Sequence, residues 1–245
     1  MTISHRDEYR QWPFLNVEEF ELACAYFEQR YVSAKLGPTR NILKINSRRT
    51  ATVGECYIEI LRLLKLSEDE DLSLALAKLS PSEKLISGVD MDMTMSEEVD
   101  PEALRSQLGE GGDGALPQYS LYSHQPYVVY EIHLHPTYQV PTLWFTLHDL
   151  PMDEPAFDLD SVYRYLVPPE YKGTLRMAGF NGGISAAPHP VTDLPAFFIH
   201  PCQTKEAMES FDCSLSEYLM VWLGIVGACI GLWVPLEMAQ VEQGV

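Results

Sequence analysis

The sequence predicts an α+β domain in which helices pack on a central antiparallel sheet. Three observations carry this. An amphipathic helix opens the chain, a two-stranded hairpin stands at its centre, and a short apolar strand followed by a helical segment closes it. At 245 residues, nearly half of them apolar and about a fifth charged, the chain has room for a core that needs no covalent staples. A single domain over residues 1–245, carrying one long insertion, is the organisation expected.

The first helix is read from Val17 to Val32. Phe20, Cys24, Phe27 and Tyr31 recur at three- and four-residue steps, the period of one buried helical face. Asn16 occupies the N-cap position, and Glu19 follows in capping-box register. After the turn at Gly37-Pro38, Asn41–Asn46 and Cys56–Leu64 are rich enough in apolar residues to be strands, although the latter also fits a short helix. Residues 67–120 differ. Between Ser67 and Asp113 there are 13 acidic and 3 basic residues, and the stretch ends in the glycine-rich run Gly109–Gly114. Low hydrophobicity with high net charge gives little burial to offset ordering entropy, so this window reads as a solvated acidic insertion, with an acidic docking strip as the sharper alternative. Ala103–Leu108 has the makings of one helical turn.

Order resumes at Tyr127–His135, which alternates with a period of two, and Thr142–Leu147 is a second run of β-formers. The short link between them is bounded by Pro136 and Pro141, so the pair forms an antiparallel hairpin. Leu159–Val167 reads as a helix capped by Asp158 or Asp160. A loop through Pro168-Pro169 and Asn181-Gly182-Gly183 leads to the apolar strand Ala196–Ile199. The uncharged stretch Leu219–Val234 falls short of the roughly 18–20 residues of a spanning helix, and its glycines suggest a helix that turns into a buried strand.

Bulk charge narrows the function. A formal net charge of −18 disfavours nucleic acid and anionic membrane surfaces, both of which select Lys and Arg. The five cysteines are widely spread with no CxxC pair, and Met1–Arg10 is polar, so neither a disulfide framework, a zinc signature nor a signal peptide is expected. The cytoplasm is the natural compartment. No P-loop, GxGxxG or GxSxG motif is present, and no cofactor is expected. His133 and His135 share one strand face and offer two metal ligands. No further ligand follows at zinc-site spacing, so no metal is expected either.

The densest chemistry lies in Ala187–Thr204. An apolar strand that stops at His200-Pro201 delivers Cys202 to the sheet edge, because proline cannot extend the ladder. A thiol at such a position is accessible yet rigidly held, and a nearby histidine favours the thiolate over an ordinary thiol of pKa about 8.5. The residues alone leave a buried structural cysteine equally open. They also leave room for a cysteine hydrolase, although no papain-type motif surrounds Cys202.

A resemblance adds to this. The segments YVVYEIHLHPTYQVPTLWF (127–145), HPVTDLPAFFIHPCQT (189–204) and YLMVWLGIVGACIGLWVPL (218–236) occur in the order seen in the autophagy-related protein 10 family. The similarity covers most of residues 127–237, is loose in the N-terminal half, and has no counterpart for the acidic insertion. It implies a ubiquitin-conjugating-enzyme-like fold and an acyl transferase that works through a cysteine thioester. Cys202 would accept the modifier autophagy-related protein 12 from an activating enzyme resembling autophagy-related protein 7, and pass it to a lysine of autophagy-related protein 5. Tyr138, in the YQVP hairpin, and His200 would position or activate that lysine, with His200 projecting from the strand on the same side as Cys202. The resemblance also implies that no His-Pro-Asn motif is needed, and that the protein acts in the cytoplasm, transiently at autophagosome assembly sites. A noncatalytic adaptor with the same fold is the alternative.

Overall fold

The computed structural model describes residues 5–51, 54–64, 125–178 and 183–240. The acidic insertion 67–120 and the turn expected at Ala103–Leu108 lie outside the described residues.

Helix α1 spans Val17–Ser33 and begins where its cap dictates. Asn16 Oδ1 accepts from Glu19 N–H, and Glu19 Oε2 accepts from Asn16 N–H, each at 2.8 Å, which satisfies two otherwise orphaned donors. Its inner face buries Phe20, Ala23, Cys24, Phe27 and Tyr31. A short helix α2 (Thr39–Ile42) leads into six antiparallel strands: β1 (Leu43–Arg49), β2 (Cys56–Leu63), β3 (Tyr127–Leu134), β4 (Pro141–His148), β5 (Ile184–Pro188) and β6 (Pro195–Ile199). Their spatial order is β1-β2-β3-β4-β6-β5, so β6 lies inside the sheet and β5 forms its edge.

The two sheet faces follow from strand alternation. Ile58, Ile60, Val128, Tyr130, Ile132, Leu143 and Phe145 all point to the helical layer and are buried. Residues one step away, among them Tyr57, Glu131, His133, Trp144 and Phe198, belong to the opposite face. Helix α6 (Tyr218–Val226) closes the core with Tyr218, Leu219, Trp222 and Leu223. Its contact with α1 ties the two chain ends together. Tyr9 Oη donates to the Cys213 carbonyl at 2.9 Å, Tyr218 Oη donates to the Pro13 carbonyl at 2.6 Å, and Leu215 N–H donates to Glu8 at 3.0 Å.

Some elements stand as expected and others differ for identifiable reasons. Cys56–Leu63 is the strand expected and not the alternative helix, because ladders on both sides, to β1 and β3, satisfy its backbone. Helix α3 (Leu159–Tyr165) begins at the cap Asp158, whose side chain accepts from Ser161 N–H. Pro169–Ala178, expected as loop, is helix α4. Pro169 occupies the first helical position, where a missing N–H costs nothing, and Leu175 is buried. β5 was not foreseen.

The buried strand expected after α6 is absent. The chain instead forms a 3-10 turn (Gly227–Ile230), and Gly231 adopts φ +66°. A Cβ there would sit 2.6 Å from the Leu166 carbonyl oxygen, so only glycine permits this approach. A short helix α7 (Leu236–Ala239) follows. Among the described residues no helix is long and apolar enough to cross a membrane.

Candidate active site

β6 brings the chain to Cys202. Phe197 packs into the core, stacked on Phe145 with ring centroids 5.7 Å apart, while Phe198 on the opposite face stacks on Trp144 at 4.7 Å. The strand ends at Ile199. Pro201 then starts a 3-10 turn, Pro201–Gln203, which runs directly into helix α5 (Thr204–Glu209). Cys202 is therefore half-buried on a tight turn at the end of an interior strand. This corrects two expectations. The cysteine does not leave from the edge of the sheet, and His200 does not share a strand face with it. His200 caps the turn instead, and its Nδ1 accepts from Cys202 N–H at 3.1 Å.

The tip of the β3–β4 hairpin approaches the same place. Tyr138 is exposed, and its ring meets His135 edge-on at 4.7 Å and His200 at 5.8 Å. The hairpin is held from both sides. His135 N–H donates to the Val140 carbonyl at 2.9 Å, and Leu15 N–H donates to the Gln139 carbonyl at 2.7 Å. Gln139 takes φ +52°, which turns the tip. The structure thus links the three residues singled out from sequence: Tyr138 touches His200, and His200 holds the backbone of Cys202. Burial, and then the nearby His200, lower the pKa of His135.

One local device recurs three times. In His135-Pro136-Thr137, His189-Pro190-Val191 and His200-Pro201-Cys202 the histidine Nδ1 accepts from the N–H two residues on, at 3.2, 3.3 and 3.1 Å. Proline has no N–H, so the first donor after the histidine is that of the following residue, and the imidazole caps it as an Asx side chain would. A neutral imidazole that accepts at Nδ1 carries its proton at Nε2. At His200 the other nitrogen is accordingly a donor.

The other cysteines are placed differently. Cys24, Cys56 and Cys213 are buried. Burial pushes Cys213 and Cys229 up to about 11. Cys56 is pulled down to about 6 by the Cys24 thiol, then by Ser47 and Arg49. It is nevertheless only 8% exposed beneath α1, where no protein substrate can reach.

Sequence reasoning missed a cluster on the open sheet face. Glu131 Oε2 is hydrogen-bonded to His133 Nε2 at 2.7 Å, and His189 Nε2 lies 3.3 Å from the same oxygen. Burial alone would raise the Glu131 pKa; the two imidazole hydrogen bonds override it and hold the carboxyl at about 2. The ligand atoms of all three lie within 4.8 Å, and two histidines with one carboxylate have the composition of a metal site. His189 already uses its Nδ1 lone pair on Val191 N–H, however, so its Nε2 faces Glu131 as an N–H donor and not as a ligand. The sequence signal was the third His-Pro pair, His189-Pro190, which matches the other two. His135, paired with His133 by strand alternation, belongs to the Tyr138 side instead.

Residues 19–237 match the family described as autophagocytosis associated protein, active-site domain. The chain is 45% identical over 240 residues to the ubiquitin-like-conjugating enzyme ATG10 of Gibberella zeae, covering 93% of this chain and 97% of that one. The chain belongs to the ATG10 family. It is 32% identical over 110 residues to the human ATG10, which covers 42% of this chain and 48% of the human protein. A third relative, ATG10 of Arabidopsis thaliana, is 34% identical over 64 residues, 22% of this chain and 28% of that protein. As an ATG10 family member it is a ubiquitin-like-protein conjugating transferase of autophagy, built on an α+β architecture of a six-stranded antiparallel sheet with flanking helices.

Proposed function

We propose that Cys202 is the acyl carrier of the conjugation reaction. The observation that carries this reading is the turn itself. It presents a half-buried thiol at the end of an interior strand, with its backbone N–H held by His200 and the exposed Tyr138 beside that histidine. The modifier is autophagy-related protein 12, the donor an activating enzyme resembling autophagy-related protein 7, and the acceptor a lysine of autophagy-related protein 5. The protein acts in the cytoplasm, transiently at autophagosome assembly sites.

The chemistry runs in two acyl transfers. The Cys202 thiolate attacks the carbonyl carbon of the modifier's C-terminal glycine, and the thiolate of the activating enzyme leaves. The acceptor lysine, as free amine, then attacks the same carbon; the C–S bond breaks as the amide forms, and the surplus proton on nitrogen passes through solvent to the departing Cys202 thiolate. Both steps place negative charge on the carbonyl oxygen. With Nδ1 engaged, His200 offers an Nε2–H donor, so it positions and stabilises the reacting group and does not take the proton. Tyr138, exposed beside it, places the incoming lysine.

A charging assay with activating enzyme, ATP and modifier tests the reading, comparing wild type with Cys202→Ser on nonreducing gels. The expected result is a thiol-sensitive adduct on wild type and a hydroxide-labile ester or no adduct on the variant. If wild type forms no adduct while the activating enzyme itself is charged, the protein is a noncatalytic adaptor of the same fold.

A further inference from the structure

The hairpin that leads to Cys202 is weakly stitched to the rest of the sheet. β3 and β4 pair over eight positions, from Tyr127↔His148 to Leu134↔Pro141, whereas β4 and β6 pair over two, Trp144↔Phe198 and Phe145↔Phe197. β5 is bonded only to β6, so the β5–β6 hairpin hangs as a unit on that short ladder. Backbone pairing this short opens easily unless side chains reinforce it.

Reinforcement comes from an unexpected direction. His189 sits at the turn of the β5–β6 hairpin, where its N–H donates to the Leu194 carbonyl at 2.8 Å and its carbonyl accepts from Asp193 N–H at 3.0 Å. Its Nδ1 caps Val191, and its Nε2 reaches past Trp144 to Glu131 on β3. Glu131 is fixed in turn by His133, whose ring stacks on Tyr57 of β2 with centroids 4.7 Å apart. Trp144 fills the space between, edge-on to His189 at 5.5 Å and stacked on Phe198. The result is a row across the open face, from Tyr57 through His133, Glu131 and His189, that spans β2, β3 and the hairpin turn without using the β4–β6 ladder.

The geometry points to Glu131 and His189 as a clamp: the buried carboxylate, held by His133, anchors the tip of the β5–β6 hairpin and so fixes the position of Cys202 against Tyr138. Both are positioning residues that touch no reacting atom. Their effect on transfer rests on Cys202 being the acyl carrier; their effect on the hairpin does not.

Two variants separate the clamp from its neighbours. Glu131→Gln removes the charge that receives both N–H groups. His189→Asn keeps a side-chain oxygen to cap Val191 N–H but deletes the reach to Glu131. In the full chain, hydrogen exchange of the amides in 184–199 is expected to accelerate about tenfold in both variants, with α1 and β1 amides unchanged. Discharge of the thioester to the acceptor is expected to slow about tenfold while charging continues, the mark of a misplaced nucleophile.

Wild-type exchange of the hairpin in His189→Asn would show that the turn cap alone matters and would overturn the clamp. Equal acceleration in α1 and β1 would overturn it too, by reducing both residues to general stabilisers. Faster hairpin exchange in wild type after chelator treatment and buffer exchange would do the same, because the cluster would then be a metal site. A wild type that cannot be charged defeats the acyl-carrier reading, while the exchange comparison still decides the clamp.

Discussion

Tyr130→Phe isolates one hydroxyl in the joint between the sheet and the C-terminal turn. Tyr130 is fully buried; its Oη donates to the Ile230 carbonyl at 3.0 Å and accepts from Arg62 Nη2 at 3.0 Å. Phenylalanine keeps the ring contact with Phe145 and the Arg62 guanidinium 5.7 Å above the ring, so no cavity opens. What is lost is a donor to a buried carbonyl, worth about 1–3 kcal/mol, and a half-buried hydrogen bond from Arg62 worth about 0.5 kcal/mol. The variant is expected to be less stable by about 2–3 kcal/mol. For a chain of this size that lowers the melting temperature by roughly 5–10 °C. Urea denaturation followed by tryptophan fluorescence measures it directly, with the m-value unchanged because the surface exposed on unfolding is the same. A loss below about 0.5 kcal/mol would refute the reasoning, since a hydroxyl that cheap to remove cannot be serving a buried carbonyl.

Gly231→Ala combines a positive φ with a Cβ 2.6 Å from a backbone oxygen; a loss of roughly 2–4 kcal/mol is expected by urea melt, and a neutral outcome would contradict the close approach to Leu166. The folded-state pKa of Glu131 lies below its unfolded value, so its contribution is complete above about pH 4.5 and is lost as pH falls towards 2. The loss amounts to roughly 2–3 kcal/mol, and in an acid titration Glu131→Gln should flatten that part of the stability profile. Iodoacetamide at neutral pH followed by peptide mapping should label Cys202 ahead of Cys56, because access outweighs the lowered Cys56 pKa; labelling of Cys56 first would refute that ordering.

Elements whose pattern is local were legible in the sequence. The α1 cap, the Asp158 cap and the β3–β4 hairpin each advertise themselves within a few residues, and each stands where expected. Elements defined by a distant partner were not. β5 is five residues of mixed burial that become a strand only beside β6. α4 was hidden by Pro169, which reads as a breaker until its place at a helix start is known. The stretch after α6 looked like a strand because it is apolar, yet it forms no ladder, and its burial comes from Gly231 turning against Leu166. At the site, the neighbourhood of Tyr138, His200 and Cys202 came from the family resemblance, whereas the side of the turn that His200 faces depended on where β6 stops. Glu131 was invisible for the opposite reason: a carboxylate in a strand says nothing of two histidines that reach it, one of them 58 positions away.

The lacing of residues 8–30 to residues 213–238 constrains the order in which this domain closes. Tyr9 and Glu8 find their partners at Cys213 and Leu215, and Arg30 of α1 donates to the carbonyls of Ser216 and Met238. β1 and β2 follow α1 closely in the chain and cover its sheet-facing side, whereas the flank that meets α6 and α7 stays bare until residues 213–238 are in place. Seating α6 and α7 on α1 is therefore the step that closes this domain, and it joins segments about 180 positions or more apart in the chain.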